Sequence, residues 1–229
     1  MRSAGRLRVI ALVIGCAMPA TVLQAQEILS KFLEKATDIS PFAQAAWLSS
    51  DTKLGTRGSS LFGYGIEILF SVADNPRAAY SVELAFGYNY LTGFRSADPA
   101  IDLRGSMRTL PELSVYATYE RPGRIEPYVG VHTGLLDLWH VQAYDAERVQ
   151  YSVDSESFQA GLTAGAVWRG VWLEGSYRIR NFPSLDWELP EGSTTLPAEF
   201  PRSLDLSGWN LRVGYQFGIG GDAKSDAKN

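Results

Sequence analysis

Few residues in this chain have both the type and the spacing to do chemistry. His132 and His140 are the only histidines. Nucleophilic catalysis would pair one of them with a serine and an acid. Neither stands in a His-x-Ser arrangement; Asp137 precedes His140 by three residues. Cys16 is the single cysteine, so neither an intramolecular disulfide nor a cysteine-based metal site can form. Two long segments collect acids: Asp145, Glu147, Asp154 and Glu156 in one, and Asp186, Glu188, Glu191, Glu199 and Asp205 in the other. Their spacing does not match a calcium loop. The expectation is therefore no catalytic group, no metal and no cofactor. His132 reads as an interior packing residue and His140 as a solvated loop residue.

A second set is more informative. Glu67, Glu83, Glu112, Glu174, Arg178, Arg180 and Arg212 all occupy positions in segments that alternate apolar with polar. The alternation puts them on one face together with Gln159, Asn210, Gln216 and His132. If that face is an interior, the charges must be paired and hydrogen-bonded. Arg212, flanked by apolar Leu211 and Val213, is expected to pair with at least one of Glu67, Glu83 or Glu174. A mutually neutralising, structural interior is preferred over an ion gate that switches partners.

The elements that position these residues are strands. Trp209–Phe217 carries apolar or aromatic residues at every odd position and polar residues or glycine at every even one. Phe62–Val72, Tyr80–Tyr90, Phe158–Ala166 and Leu173–Arg180 alternate as well, and Phe42–Leu48, Glu112–Tyr119 and Tyr128–Leu136 do so more weakly. That makes eight strands. Ala73–Arg77, Arg121–Arg124 and Arg169–Gly170 are short links with turn chemistry. The others, about Ser49–Ser60, Gly93–Met107, Asp137–Ser157 and Asn181–Ser207, are long. Short and long links alternate along the chain.

The remaining segments read differently. The chain has 229 residues, 45% apolar and 12% aromatic, with net charge −4. That is too apolar for a disordered chain and offers no basic patch for nucleic acid. Mean hydropathy is −0.09, which excludes a bundle of membrane helices. Residues 1–25 carry Arg2, Arg6 and Arg8 ahead of an apolar stretch and end at Ala25, the pattern of a secretory signal. A membrane anchor and a lipoprotein signal at Cys16 are the alternatives. Removing the segment leaves 204 residues with 18 bases and 25 acids. Glu27–Asp38 reads as a short amphipathic helix, within a segment 26–40 stopped by Ser40-Pro41.

Alternation by itself fits a soluble antiparallel sheet with its apolar face inward, or a membrane barrel with its apolar face to lipid. Dense aromatics near strand ends, small residues on the polar face, alternating loop lengths and the signal segment favour the barrel. The segments quoted, with Glu126-Pro127-Tyr128-Val129-Gly130-Val131 and the terminal Tyr215-Gln216-Phe217, resemble the small eight-stranded outer-membrane proteins of the OmpA-like, OmpX-like and OmpW-like kind. The chain departs from them by continuing through a polar tail, 218–229. The resemblance implies an all-β, eight-stranded, antiparallel up-and-down transmembrane barrel over 41–217, with both termini periplasmic. It implies a monomer in outer-membrane lipid with a structural or surface-interaction role. The aromatics Trp139, Tyr144, Tyr151, Trp187 and Phe200 would offer an unidentified extracellular ligand a surface at the loops. Passage of small or apolar solutes, and lipid A modification by an acylhydrolase or acyltransferase, remain alternatives.

Overall fold

Alternation of period two becomes strand along the whole described chain. The computed structural model describes residues 35–49, 60–75, 79–95, 102–120, 124–145, 147–198 and 200–219. The strands are β1 (Asp38–Leu48), β2 (Ser60–Asn75), β3 (Tyr80–Arg95), β4 (Asp102–Tyr119), β5 (Glu126–Tyr144), β6 (Gln150–Asp154), β7 (Glu156–Trp168), β8 (Val171–Phe182), β9 (Asp186–Glu188), β10 (Leu204–Asp205), β11 (Gly208–Tyr215) and β12 (Phe217–Gly218).

Eight of them close a barrel. β1 to β5 pair in sequence, β5 pairs with β7, β7 with β8, β8 with β11, and β11 returns to β1, all antiparallel. The seam between β11 and β1 sets Ala45 opposite Leu211 and Trp47 opposite Trp209. β12 continues β11 past Gln216 and pairs with the start of β1. Each segment that alternates in the sequence supplies one barrel strand. The strand ends joined by short links, with both described ends, lie at one end of the barrel, and the strand ends joined by long links lie at the other.

Two expectations are corrected here. β1 opens at Asp38, so Ser40-Pro41 lies inside a strand rather than ending a helix. Pairing on both sides and the buried Ser40, whose Oγ accepts from Trp172 Nε1 at 2.6 Å, outweigh the local stop signal. Lys35, Ala36 and Thr37 are described and are not helical; the rest of the expected helix, and residues 1–25, lie outside the described residues. The second and third long links are also largely strand, because β4 reaches back to Asp102 and β5 runs on to Tyr144. Register shifts between Thr109 and Glu112 and between Arg104 and Ser106 interrupt their ladder, and His140 has φ +52°. A bulge puts neighbouring residues on one face, so alternation fades while pairing continues.

The outer wall is apolar: Phe158 is 71% exposed and Leu162 70%, while Arg212 and Arg178 on the opposite face are fully buried. This is the inverse of a soluble sheet and defines a transmembrane β-barrel. Exposed aromatics ring both ends, with Tyr80, Tyr119, Trp168 and Tyr215 at the short-turn end and Trp47, Phe62, Tyr177 and Trp209 towards the long-loop end.

The interior is layered. Phe42, Leu69, Ala85, Tyr116, Tyr128, Val167 and Trp172 pack towards the short-turn end. A charged layer follows. Leu48, Leu61, Leu91, Met107, Leu136, Leu138, Phe182, Leu204 and Leu206 then form an apolar core towards the long-loop end. Inward glycines make room for the large rings. A Cβ on Gly65 would collide with the Phe42 ring, and one on Gly165 with the Tyr128 ring.

Candidate functional site

The charged layer, with the amides that bond it, draws on all eight barrel strands, and its hub is Glu112. The Thr109–Glu112 register shift in β4 precedes it, and Glu112 is 1% exposed. Its Oε1 accepts from Arg178 Nη2 at 3.1 Å and Arg212 Nη2 at 2.7 Å. Its Oε2 accepts from Arg178 Nη1 at 2.7 Å, Gln159 Nε2 at 2.8 Å and Asn89 Nδ2 at 3.1 Å. Two guanidinium groups and two amides thus satisfy one carboxylate, the condition for a buried charge to be tolerated.

Arg212 bridges the carboxylates. It donates from Nη1 to Glu67 Oε1 at 2.9 Å and from Nε to Gln44 Oε1 at 3.4 Å, lies 3.8 Å from Glu174 Oε1, and places its Cζ 4.3 Å from the Phe42 ring centroid. Tyr116 donates its hydroxyl to Glu67 at 3.0 Å, and Tyr128 donates to Glu174 at 3.3 Å. Gln44 donates to Asn89, closing the β1–β3 side. One ligand-type atom each from Glu67, Glu112 and His132 lies within 4.8 Å of the others, the spacing of a cation site. The Arg212 guanidinium lies against both carboxylates and supplies that positive charge.

His132 sits between Ser114, whose Oγ is 2.7 Å from Nδ1, and Glu174, whose Oε1 is 3.4 Å from Nε2. Serine, histidine and acid in this order are the parts of a nucleophilic site. Both side chains are buried: Ser114 is 2% exposed and His132 3%. The adjoining cavity, about 20 Å³, is lined by Glu67, Glu83, Tyr116, Tyr128 and Glu174, and holds about one water rather than an acyl chain.

The layer gathers Glu67, Glu112, Glu174, Arg178, Arg212 and His132 into one set of contacts. Glu83 is half-buried at the short-turn mouth, where it lines the small cavity with Gln216. Arg180 is fully buried nearby but bonds amides, donating from Nε to Gln159 Oε1 and from Nη2 to Asn210 Oδ1, both at 3.1 Å. Gln44, Asn89, Ser114, Tyr116 and Tyr128 escape the sequence reading of charged residues. Asn89 and Ser114 share the inward parity of Glu83 and Glu112 and could have been added on that signal. The two tyrosines share the inward parity of Glu112 and His132 too, but an aromatic in an alternating strand reads as lipid-facing by type.

The long-loop end departs from the expectation of a ligand surface. Tyr151 and Phe200 are buried with ring centroids 4.7 Å apart, and Trp187 packs on Phe200 at 5.0 Å, so three of the five aromatics belong to the apolar core. The ring of Tyr144 is half-buried and its hydroxyl donates to Gln142 at 3.2 Å. Trp139 faces outward from β5 beneath the Arg108 guanidinium, which pairs with Asp137 at 2.5 Å. His140, stacked on Trp139, is part of the same strand rather than a loop. Some loop acids build turns: Asp145 Oδ1 accepts from the backbone N–H of Glu147 and of Val149, each at 2.9 Å. Glu199 lies outside the described residues.

No protein-family model matches the chain, and none of the curated proteins matches its sequence. Solved structures do. Neisserial surface protein A aligns over 79% of this chain and 96% of its own, with 15% identity and a TM-score of 0.46. Ail, the attachment invasion locus protein of Yersinia pestis, aligns over 80% and 99%, with 13% identity and a TM-score of 0.42. A major outer membrane protein from Thermus thermophilus aligns over 80% and 100%, with 16% identity and a TM-score of 0.40. The chain has the architecture of the small eight-stranded outer-membrane barrels. The closure of β11 on β1 and the inward charged layer are features of this chain itself.

Proposed function

We propose that the chain is a monomeric, non-enzymatic barrel of the outer membrane of a Gram-negative-type envelope, sent there by residues 1–25. Both termini lie in the periplasm and the acidic long-loop end faces outward, in a structural or surface-interaction role. The observation that carries this reading is a lumen filled at three successive levels by aromatic, charged and apolar side chains. Eight strands leave an interior just wide enough for side chains, and every level here uses that room. The buried Ser114–His132–Glu174 group then serves packing and charge pairing, and the charged layer is a structural network.

The test is conductance of the refolded protein in planar bilayers, beside mass spectrometry of lipid A from cells that express it. The expected result is no unitary current and unchanged lipid A. A stable open-channel current would replace this reading with solute passage, and a change in acyl-chain number that depends on Ser114 would replace it with lipid modification.

A further inference from the structure

Arg180 poses a problem that the rest of the layer does not solve. It is fully buried, yet both of its side-chain hydrogen bonds end on neutral amide oxygens, those of Gln159 and Asn210. Its Nη1 has no hydrogen-bond partner among the described residues, and neither has Nδ2 of Asn210, which is 2% exposed. The two orphan donors belong to one bonded pair, since Arg180 Nη2 donates to Asn210 Oδ1. Buried donors left unpaired are costly, and a buried guanidinium without a counter-charge more so.

Charge is also unevenly spread along the barrel axis. Towards the short-turn end, Glu67, Glu174 and Glu83 outnumber Arg212. Towards the long-loop end, Arg178 and Arg212 both bond the carboxylate of Glu112, and Arg180 bonds no carboxylate. Above Arg180 the interior turns apolar; Leu206, a buried member of that core, donates its backbone N–H to the carbonyl of Arg180. The positive excess therefore sits where side-chain acceptors run out.

We propose that a monovalent anion of the halide class is bound inside the barrel by Arg180 Nη1 and Asn210 Nδ2. The chemistry distinguishes it from a water. A water would add two protons and no charge, and would leave the Arg180 guanidinium without a bonded counter-ion. A halide needs only donors and brings the missing negative charge.

The test uses the full-length protein refolded in detergent. Crystals grown in bromide should show an anomalous peak beside Arg180 and Asn210. Unfolding in urea at fixed ionic strength should shift to higher urea in chloride than in gluconate. Halide at ten times its dissociation constant should raise the folding equilibrium constant about elevenfold. Arg180→Met removes the site but could also fail to fold, so Asn210→Asp is the second variant. It sets a carboxylate against the Arg180 guanidinium, and should fold and lose the chloride dependence. A wild type with equal urea midpoints in the two salts overturns the proposal. So does density at the site without anomalous signal, which would be a water, and so does chloride dependence retained in Asn210→Asp.

Discussion

The charged layer and the apolar core above it occupy the same barrel and are equally buried. They are held in opposite ways. In the charged layer cohesion comes from named polar partners, and Glu112 alone accepts from Arg178, Arg212, Gln159 and Asn89. In the apolar core, Leu61, Leu91, Leu138 and Phe182 meet Leu185, Phe200 and Leu204 from the segment between β8 and β11 without directional bonds. The first layer requires matched pairs and fails when one member is lost. The second requires volume and tolerates exchange of shape at constant size.

That contrast can be broken at its strongest point by Glu112→Leu. It leaves two buried guanidiniums without their shared carboxylate and should cost about 3–5 kcal/mol or more in urea refolding; a negligible loss would mean that water solvates the layer. Phe182→Ala tests the other layer, with an expected loss of about 3–5 kcal/mol from burial and cavity alone. Outside both, Leu211→Arg on the lipid face should cost about 2–4 kcal/mol near mid-bilayer. Tolerance of arginine there would mean that this face does not meet hydrocarbon.

Conservative exchanges sharpen the contrast. Leu138→Met should cost less than about 1.5 kcal/mol, whereas Arg178→Lys should cost more than that exchange, because an ammonium cannot span both oxygens of Glu112. Equal costs would erase the distinction between layers. The smallest effect is expected for Ser114→Ala, about 1 kcal/mol for one hydrogen bond to His132, measured by the same refolding assay.

Much of this molecule is legible in its sequence. The inward set of Glu67, Glu112, Glu174, Arg178 and Arg212 follows from parity, since a strand sends successive side chains to opposite faces. Parity fails at bulges. Trp139 and His140 face outward together, so the end of β5 reads as loop. At Tyr116, Tyr128 and Trp172 parity holds, and it is residue type that misleads: a large ring with a polar tip turns inward to reach Glu67, Glu174 and Ser40.

Sequence by itself determined the strand count, the face each strand turns to lipid, and the presence of a charged interior, because these follow from local periodicity. Tertiary structure decided which charges meet. The partner of Arg212 most firmly tied to the rest of the layer is Glu112, 100 residues away in sequence, and that contact depends on strand tilt, register and closure. It also decided that Tyr151, Trp187 and Phe200 fill the barrel rather than cover its surface. Composition marks a loop as aromatic, but only the space left at the barrel mouth determines whether those rings turn inward.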